Sequence, residues 1–367
     1  MYRRVSSRAY STIKLNTRES SGNLTTLTVK VNNAGSKAGA KPGLAHLYSK
    51  FNFLNTETKS ALRFTRESEL LGGQFSSTIT RDAVLLKTTF LKQDLPYYVE
   101  ALGATLASPA FRPHELQEVV LPVAKAEFAA ANASNSHKAI EAAHAITYQR
   151  GYGRPLLYDG TQSVTVEDIR QFATDVVNST NVEVFASGAN ESDLSKFIQE
   201  SSFSKIPGGA SENIPVISKS GAEVRIPASG ESVAALAYAV KPEQFGAYEA
   251  LSAALGNHFL GVDANSALAS IKGAVSQLYK YEDAGLFVVT VKGEATQVAE
   301  SIRRAKEAVE TTSISAEAVK NGELSLALQS IFEFPHSVKI SSDKPELPKF
   351  NYVAVGDVDV LPYANEL

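Results

Sequence analysis

Cysteine is absent from the chain. Its absence excludes disulfides, zinc–thiolate sites and thiol catalysis outright. Methionine occurs only at Met1, and the six histidines are scattered at His46, His114, His137, His144, His258 and His336. Haem and iron–sulfur clusters therefore have no ordinary ligand set to draw on, and no cofactor is expected. No stretch of 18 consecutive apolar residues exists; the longest dense run, Val233 to Val240, has the length of a strand or a short buried helix. No segment thus reads as a membrane-spanning helix. A dominant basic charge is missing too. The net charge is -3 and the pI near 6.1, which gives no reason to expect nucleic acid as a partner.

What is present describes a folded chain. Apolar residues make up 44% and charged residues 20%, globular values that rule out a fully disordered protein. A length of 367 residues fits two domains better than one core. The first 18 residues differ from the rest. They hold Arg3, Arg4, Arg8, Lys14 and Arg18, interleaved with Ser6, Ser7 and Ser11, and no acid occurs before Glu19. An arginine- and serine-rich, acid-free start is the composition of a mitochondrial transit peptide. Arg8-Ala9-Tyr10-Ser11 resembles a matrix processing site, with Arg8 two residues before Tyr10 and the cut before Ser11. Loss of residues 1–10 removes three arginines and moves the net charge from -3 to -6.

The remainder reads as two similar halves. Leu24 to Val31 alternates β-branched residues as a strand does. Leu44, Leu47, Tyr48, Phe51 and Leu54 recur at spacings of three and four, which predicts a helix over Gly43 to Leu54. A second helix over Ser60 to Leu71 stops at Gly72-Gly73. Strands follow near Gln74–Thr80 and Ala83–Leu91, then helices at Leu95–Ala107, His114–Ala131 and Lys138–Gln149. A helix near Val166–Val177 and a strand at Val182–Ala186 close the half. The same order recurs later: Val233–Val240 matches the opening strand, Leu286–Val291 leads into a helix near Gln297, and Tyr352–Gly356 matches the closing strand. A duplicated α+β unit is the simplest account. Ile206-Pro-Gly-Gly-Ala-Ser-Glu-Asn-Ile214 reads as the connection. The expected organisation is a transit peptide over 1–10, a first domain over 18–205, a linker over 206–220 and a second domain over 221–367.

Standard catalytic constellations are missing. There is no phosphate-cradling loop and no Gly-x-Ser-x-Gly elbow. Gly151-Tyr-Gly153 lacks a third glycine and reads as a turn. Tyr97-Tyr98 reads as packing. No two histidines stand four apart; His137 and His144, seven apart, would lie about 10 Å apart along a helix, too far to share one zinc. His46 is set apart by its neighbours. Gly43-Leu-Ala-His46-Leu-Tyr-Ser49-Lys50-Phe-Asn-Phe53 resembles the zinc helix of the pitrilysin/insulinase peptidase family. That family carries His-x-x-Glu-His there, and a third ligand, a Glu, after a hydrophobic triplet in a later helix. On this chain the first His is His46, the general-base position is Ser49, the second ligand position is Lys50 and the third is Val123, after Val119-Val120-Leu121. One functional group of four remains, and catalytic zinc needs three protein ligands. No metal and no catalytic residue are expected.

Further blocks, including Phe51–Thr56, Arg66–Gly73, Leu91–Tyr98, Phe111–Leu116, Pro155–Gly160 and Phe350–Asp357, resemble the core-protein branch of this family, found in fungal respiratory complex III. This resemblance covers the chain from about residue 24. It implies an α+β fold of two homologous domains, each a mixed β-sheet with helices packed on one side. It also implies a non-catalytic, structural role in the assembly and stability of the complex. The implied partners are core protein 1 and the other complex III subunits, on the matrix side of the mitochondrial inner membrane. A non-catalytic partner subunit of a mitochondrial processing peptidase is the alternative; the chain lacks the long glycine-rich loop that marks such a subunit. A free-standing peptide-binding relic is a third. N-terminal sequencing of the organelle-purified chain is expected to begin at Ser11; a start at Met1 would refute the transit-peptide reading.

Overall fold

Alternation along the strands decides how each sheet is covered. The computed structural model describes residues 13–18, 20–210, 214–332 and 338–367. Arg8, Tyr10, Ser11 and His336 lie outside them. In chain order the first elements are β1 (Lys14–Arg18), β2 (Leu24–Asn32), α1 (Leu44–Phe51), α2 (Ala61–Leu71), β3 (Gln74–Ile79), β4 (Ala83–Leu91) and α3 (Leu95–Ala107). A short α4 (Pro113–Glu115), α5 (Leu121–Asn132), α6 (Asn135–Thr147), α7 (Val166–Val176), β5 (Val182–Ser187) and α8 (Glu191–Glu200) follow. The second half supplies β6 (Glu223–Pro227), β7 (Ser232–Val240), α9 (Phe245–Leu255), β8 (Ala274–Lys280), β9 (Gly285–Gly293), α10 (Ala295–Thr311), α11 (Ala316–Phe332) and β10 (Asn351–Gly356).

The two sheets have the same strand order. It is β1-β5-β2-β4-β3 in one and β6-β10-β7-β9-β8 in the other. In each, the outer pair β1/β5 or β6/β10 is parallel and the other pairings are antiparallel. The matching segments of the two halves occupy matching places: β2 with β7, β4 with β9, β5 with β10. This is the duplicated α+β architecture that the order of segments implies, with the mixed sheets that the family resemblance implies.

Burial separates the two sheets. In β2, Leu27, Val29 and Val31 are buried while Thr26, Thr28 and Lys30 are half-exposed, the pattern of a sheet with one packed face. The core of this unit lies on that face, with Leu47, Tyr48, Leu102 and Ile169 from α1, α3 and α7. In β7 and β10 nearly every residue is buried. One face of the second sheet, with Leu236, Tyr238, Phe287 and Val289, packs on Tyr248, Leu251 and Ile302 of α9 and α10. The opposite face, with Val233, Ala235, Ala237 and Val288, packs on Ala139 and Ala143 of α6 and on Tyr148 and Tyr152.

This second layer alters the expected division of the chain. One compact unit takes residues up to Ala126 together with Leu156–Ile214; the other takes Glu127–Pro155 together with Pro215–Leu367. A single break at 206–220 does not describe that. The reason is the small-residue stripe of α6, which lets the helix lie close on the small side chains of β7. Polar contacts fix it. Asn135 Nδ2 donates to Ser229 O (3.0 Å) and Glu231 O (2.8 Å), and Asn351 Nδ2 donates to Thr147 Oγ1 (2.9 Å). His144 Nε2 lies 2.7 Å from Tyr281 Oη, and Tyr152 stacks on Tyr281 at 4.5 Å.

The same unit buries an ion pair. Lys280 Nζ donates to Glu249 Oε2 (2.8 Å), and each side chain is only 2% exposed. Glu249 Oε1 accepts from Ser325 Oγ and Gln329 Nε2, both at 2.8 Å, and Lys280 also donates to Gln329 Oε1. Buried charges demand such complete partnering. The pair thereby joins α9, β8 and the polar inner stripe of α11. The C-terminal segment is held by Arg225 of β6, which donates to the carbonyls of Val358, Leu361 and Pro362 and lies 3.9 Å from the centre of the Tyr363 ring. Glu249→Leu leaves a buried ammonium short of its counter-ion and is expected to cost about 3–5 kcal/mol in denaturant unfolding. The double change Glu249→Leu with Lys280→Met is expected to cost less, and a double mutant no more stable than the single would argue against the pair.

Candidate functional site

Helix α1 opens at Gly43, in the left-handed region at φ 72. A Cβ there would lie 2.4 Å from Tyr158 Cα, so only glycine fits where the 156–160 segment crosses the helix start. Leu44, Leu47, Tyr48 and Phe51 form the apolar stripe, and every residue of the helix except Lys50 is buried. Just upstream, Lys41 Nζ bonds Asp168 Oδ2 at 2.7 Å, and Asp168 also accepts from Thr165 N and Oγ1 as a capping box on α7. The Lys41 ammonium first, and the Thr165 donors next, hold the Asp168 carboxyl at about 2. Its folded value is depressed, so the stabilisation is present above an ordinary carboxylate value of about 3.9 and is lost as pH falls toward 2.

The four positions of the metal motif have separate fates. His46 is fully buried, and its Nδ1 accepts from Tyr158 N at 3.1 Å. Ser49 is 1% exposed and its hydroxyl donates to His46 O at 2.7 Å. Lys50 is half-buried. Val123 lies on α5 and is 42% exposed. A hydroxyl committed to the helix backbone, a cation and an aliphatic side chain do not make a zinc site. Among the described residues no group of three or more His, Asp or Glu is disposed to hold a metal. The other histidines do not supplement His46: His114 and His258 are exposed, His137 is half-buried, and His144 is committed to Tyr281 and Ile140 O. Tyr98 is buried and stacks on Phe90 at 4.3 Å, while Tyr97 Oη donates to Glu67. Gly151–Gly153 forms a single 3₁₀ turn.

The frame around the motif is elaborate for a site without ligands. Phe53, just past α1, and Phe111, just before α4, both have positive φ, 66 and 43. Each costs about 1–2 kcal/mol for an L-residue with a bulky side chain. Aromatic packing holds them there: Phe53 stacks on Phe64 at 5.5 Å and Phe111 meets Phe51 at 5.3 Å. Glu115 is buried and accepts from Asn55 N and Nδ2 and from Arg112 N, which ties the end of α1 to α4. The helix expected over His114–Ala131 is interrupted by a π turn at Leu116–Val120. Pro122 accounts for it, because its ring has no N–H and crowds the carbonyl four residues back. Sequence periodicity shows neither the π turn nor the two strained phenylalanines. The Tyr158 contact was also invisible, since Pro155–Gly160 has no regular spacing.

Residues 17–160 match the model for insulinase (peptidase family M16), and residues 163–325 match the model for the peptidase M16 inactive domain. A protein of Debaryomyces hansenii, cytochrome b-c1 complex subunit 2, is 54% identical over the whole length of both chains. The chain belongs to peptidase family M16. It falls in the cytochrome b-c1 complex subunit 2 branch of that family. The Saccharomyces cerevisiae member of the branch is 39% identical, over 97% of this chain and 96% of its own. A mitochondrial-processing peptidase subunit alpha of Solanum tuberosum is more distant, at 27% identity over 65% of this chain and 48% of its own. In this M16 member His46 is the one of the four motif groups that the resemblance finds retained. Metal analysis of the purified chain is expected to find no stoichiometric zinc, and incubation with presequence peptides no cleavage. One tightly held zinc per chain would overturn both.

Proposed function

We propose that the chain is a non-catalytic structural core subunit of the cytochrome b-c1 complex, respiratory complex III, needed for its assembly and stability. The observation that carries the reading is similarity without gaps in coverage: 54% identity to the Debaryomyces hansenii subunit 2 from end to end. The emptied metal motif supports it, because a two-domain fold stripped of chemistry acts through its surfaces. Its partners are core protein 1 and the other subunits of the complex. Its place is the matrix side of the mitochondrial inner membrane, reached by import and removal of residues 1–10. No described helix is long and apolar enough to cross a membrane, and the chain meets the bilayer through the assembly. Electron transfer from ubiquinol to cytochrome c belongs to other subunits.

Several apolar side chains stand exposed, among them Leu62 and Leu70 of α2, Val119, and Val123 at the third ligand position itself. Obligate interfaces bury large apolar areas, roughly 2,000 Å² or more, and a subunit denied them is prone to aggregate. Its stability then follows the concentration of its partners. The alternative, a non-catalytic subunit of a processing peptidase, predicts a soluble heterodimer. Deletion of the chain is expected to lower the amount of assembled complex III on native gels and its ubiquinol–cytochrome c reductase activity severalfold. Normal amounts of active complex in the deletion strain would defeat the structural reading; co-purification in a soluble heterodimer would favour the alternative.

A further inference from the structure

We propose that His46 has changed role, from metal ligand to buried hydrogen-bond anchor for a strap, residues 156–162, that crosses the start of α1. The proposal deepens the reading of this helix as chemically silent and rests on it. Its central observation is the polarity of one hydrogen bond. A zinc-binding imidazole turns a bare nitrogen to the metal and ordinarily donates from the other to a carbonyl or carboxylate. In this chain the bare nitrogen, Nδ1, accepts a main-chain N–H, from Tyr158 at 3.1 Å. A neutral imidazole whose Nδ1 accepts carries its proton on Nε2. The lone pair is thus spent on the strap, and the remaining nitrogen is blocked by a proton.

The strap is built to lie there. Tyr158 is 4% exposed, and a side chain at Gly43 would collide with its Cα and Cβ. Tyr158 Oη donates to Gln162 O at 2.7 Å. Asp159 Oδ1 accepts from Thr161 N at 2.9 Å and from its hydroxyl at 2.8 Å, which closes the turn. Beyond it, Lys41 Nζ donates to Ser163 O at 3.3 Å and bonds Asp168, so the far end is tied to the segment that enters α1. The one buried acceptor for the Tyr158 N–H among these contacts is His46. Without it a main-chain donor is left unsatisfied in the interior, which loosens the segment.

Hydrogen–deuterium exchange on the native assembly tests this, with the wild-type chain, His46→Ala and His46→Asn. Asparagine places Oδ1 close to where Nδ1 sits and accepts the same bond, but it is no substitute for an imidazole at a metal. The expected result is exchange in peptides spanning 156–162 at least ten-fold faster in His46→Ala and close to wild-type in His46→Asn. Unchanged exchange in His46→Ala overturns the proposal. So does His46→Asn behaving like His46→Ala, which would mean that the imidazole itself is required. If His46→Ala does not assemble, His46→Asn decides alone: native protection supports the anchor, and its loss refutes it. Stoichiometric zinc in the wild-type assembly is a separate outcome that would sink the non-peptidase reading itself.

Discussion

A sheet whose two faces are both apolar must be covered twice, and this constraint organises the chain. The second sheet cannot bury Val233, Ala235, Ala237 and Val355 with its own helices, because α9 and α10 already occupy the other face. It takes α6 from the middle of the sequence instead. The first sheet faces no such demand, since its second face carries Thr26, Thr28, Lys30 and Lys87. Two units with one strand order therefore differ in what they require from the rest of the chain. The buried Glu249–Lys280 pair belongs to the same logic. With α11 presenting serine and glutamine inward, hydrogen bonds to a fixed charge supply the docking that apolar burial supplies elsewhere.

The former metal site separates chemistry from scaffold. Zinc binding needs particular donor atoms, and two of the three ligand positions, together with the general-base position, no longer supply them. The surrounding geometry depends on different residues: the left-handed Gly43, the strained Phe53 and Phe111, the Glu115 contacts and the π turn ahead of Pro122. Those residues also hold α1 against the first sheet and shape the core. Strain of this kind ordinarily marks a working site. Here it persists because the aromatic cluster around it contributes to packing whether or not a metal is held.

Much of this was legible from residue order. The helix from Gly43, the strands Leu24–Val31 and Ala83–Leu91, and the recurrence of the same segments after residue 230 follow from spacing and β-branching. The disabled motif followed from the resemblance to the family's zinc helix, with the side-chain chemistry of His46, Ser49, Lys50 and Val123 read at its positions. What escaped is what depends on contacts between distant residues. α6 reads as an ordinary helix of the first half, because nothing in Ala139 and Ala143 says which sheet they cover. Strands β1, β6 and β8 are short or carry charge and lack strong alternation. His46 looks like an isolated remnant in the sequence, and only the approach of Tyr158, 112 residues away, shows it to be engaged.

The position of β10 has a consequence for how the chain is made. It is the last strand in the sequence, yet it sits inside its sheet, between β6 and β7. A chain that emerges from a ribosome or an import channel N-terminus first can assemble the first sheet while the rest is still in transit. The second sheet keeps a gap until β10 has appeared, and Arg225 waits for the segment that follows it. During that interval the edges of β6 and β7 stand open, with apolar faces on both sides of β7. Long-range closure of this sort is slow and leaves a chain exposed to aggregation. The vulnerable interval in the folding of this protein is thus the one before β10 takes its place between β6 and β7.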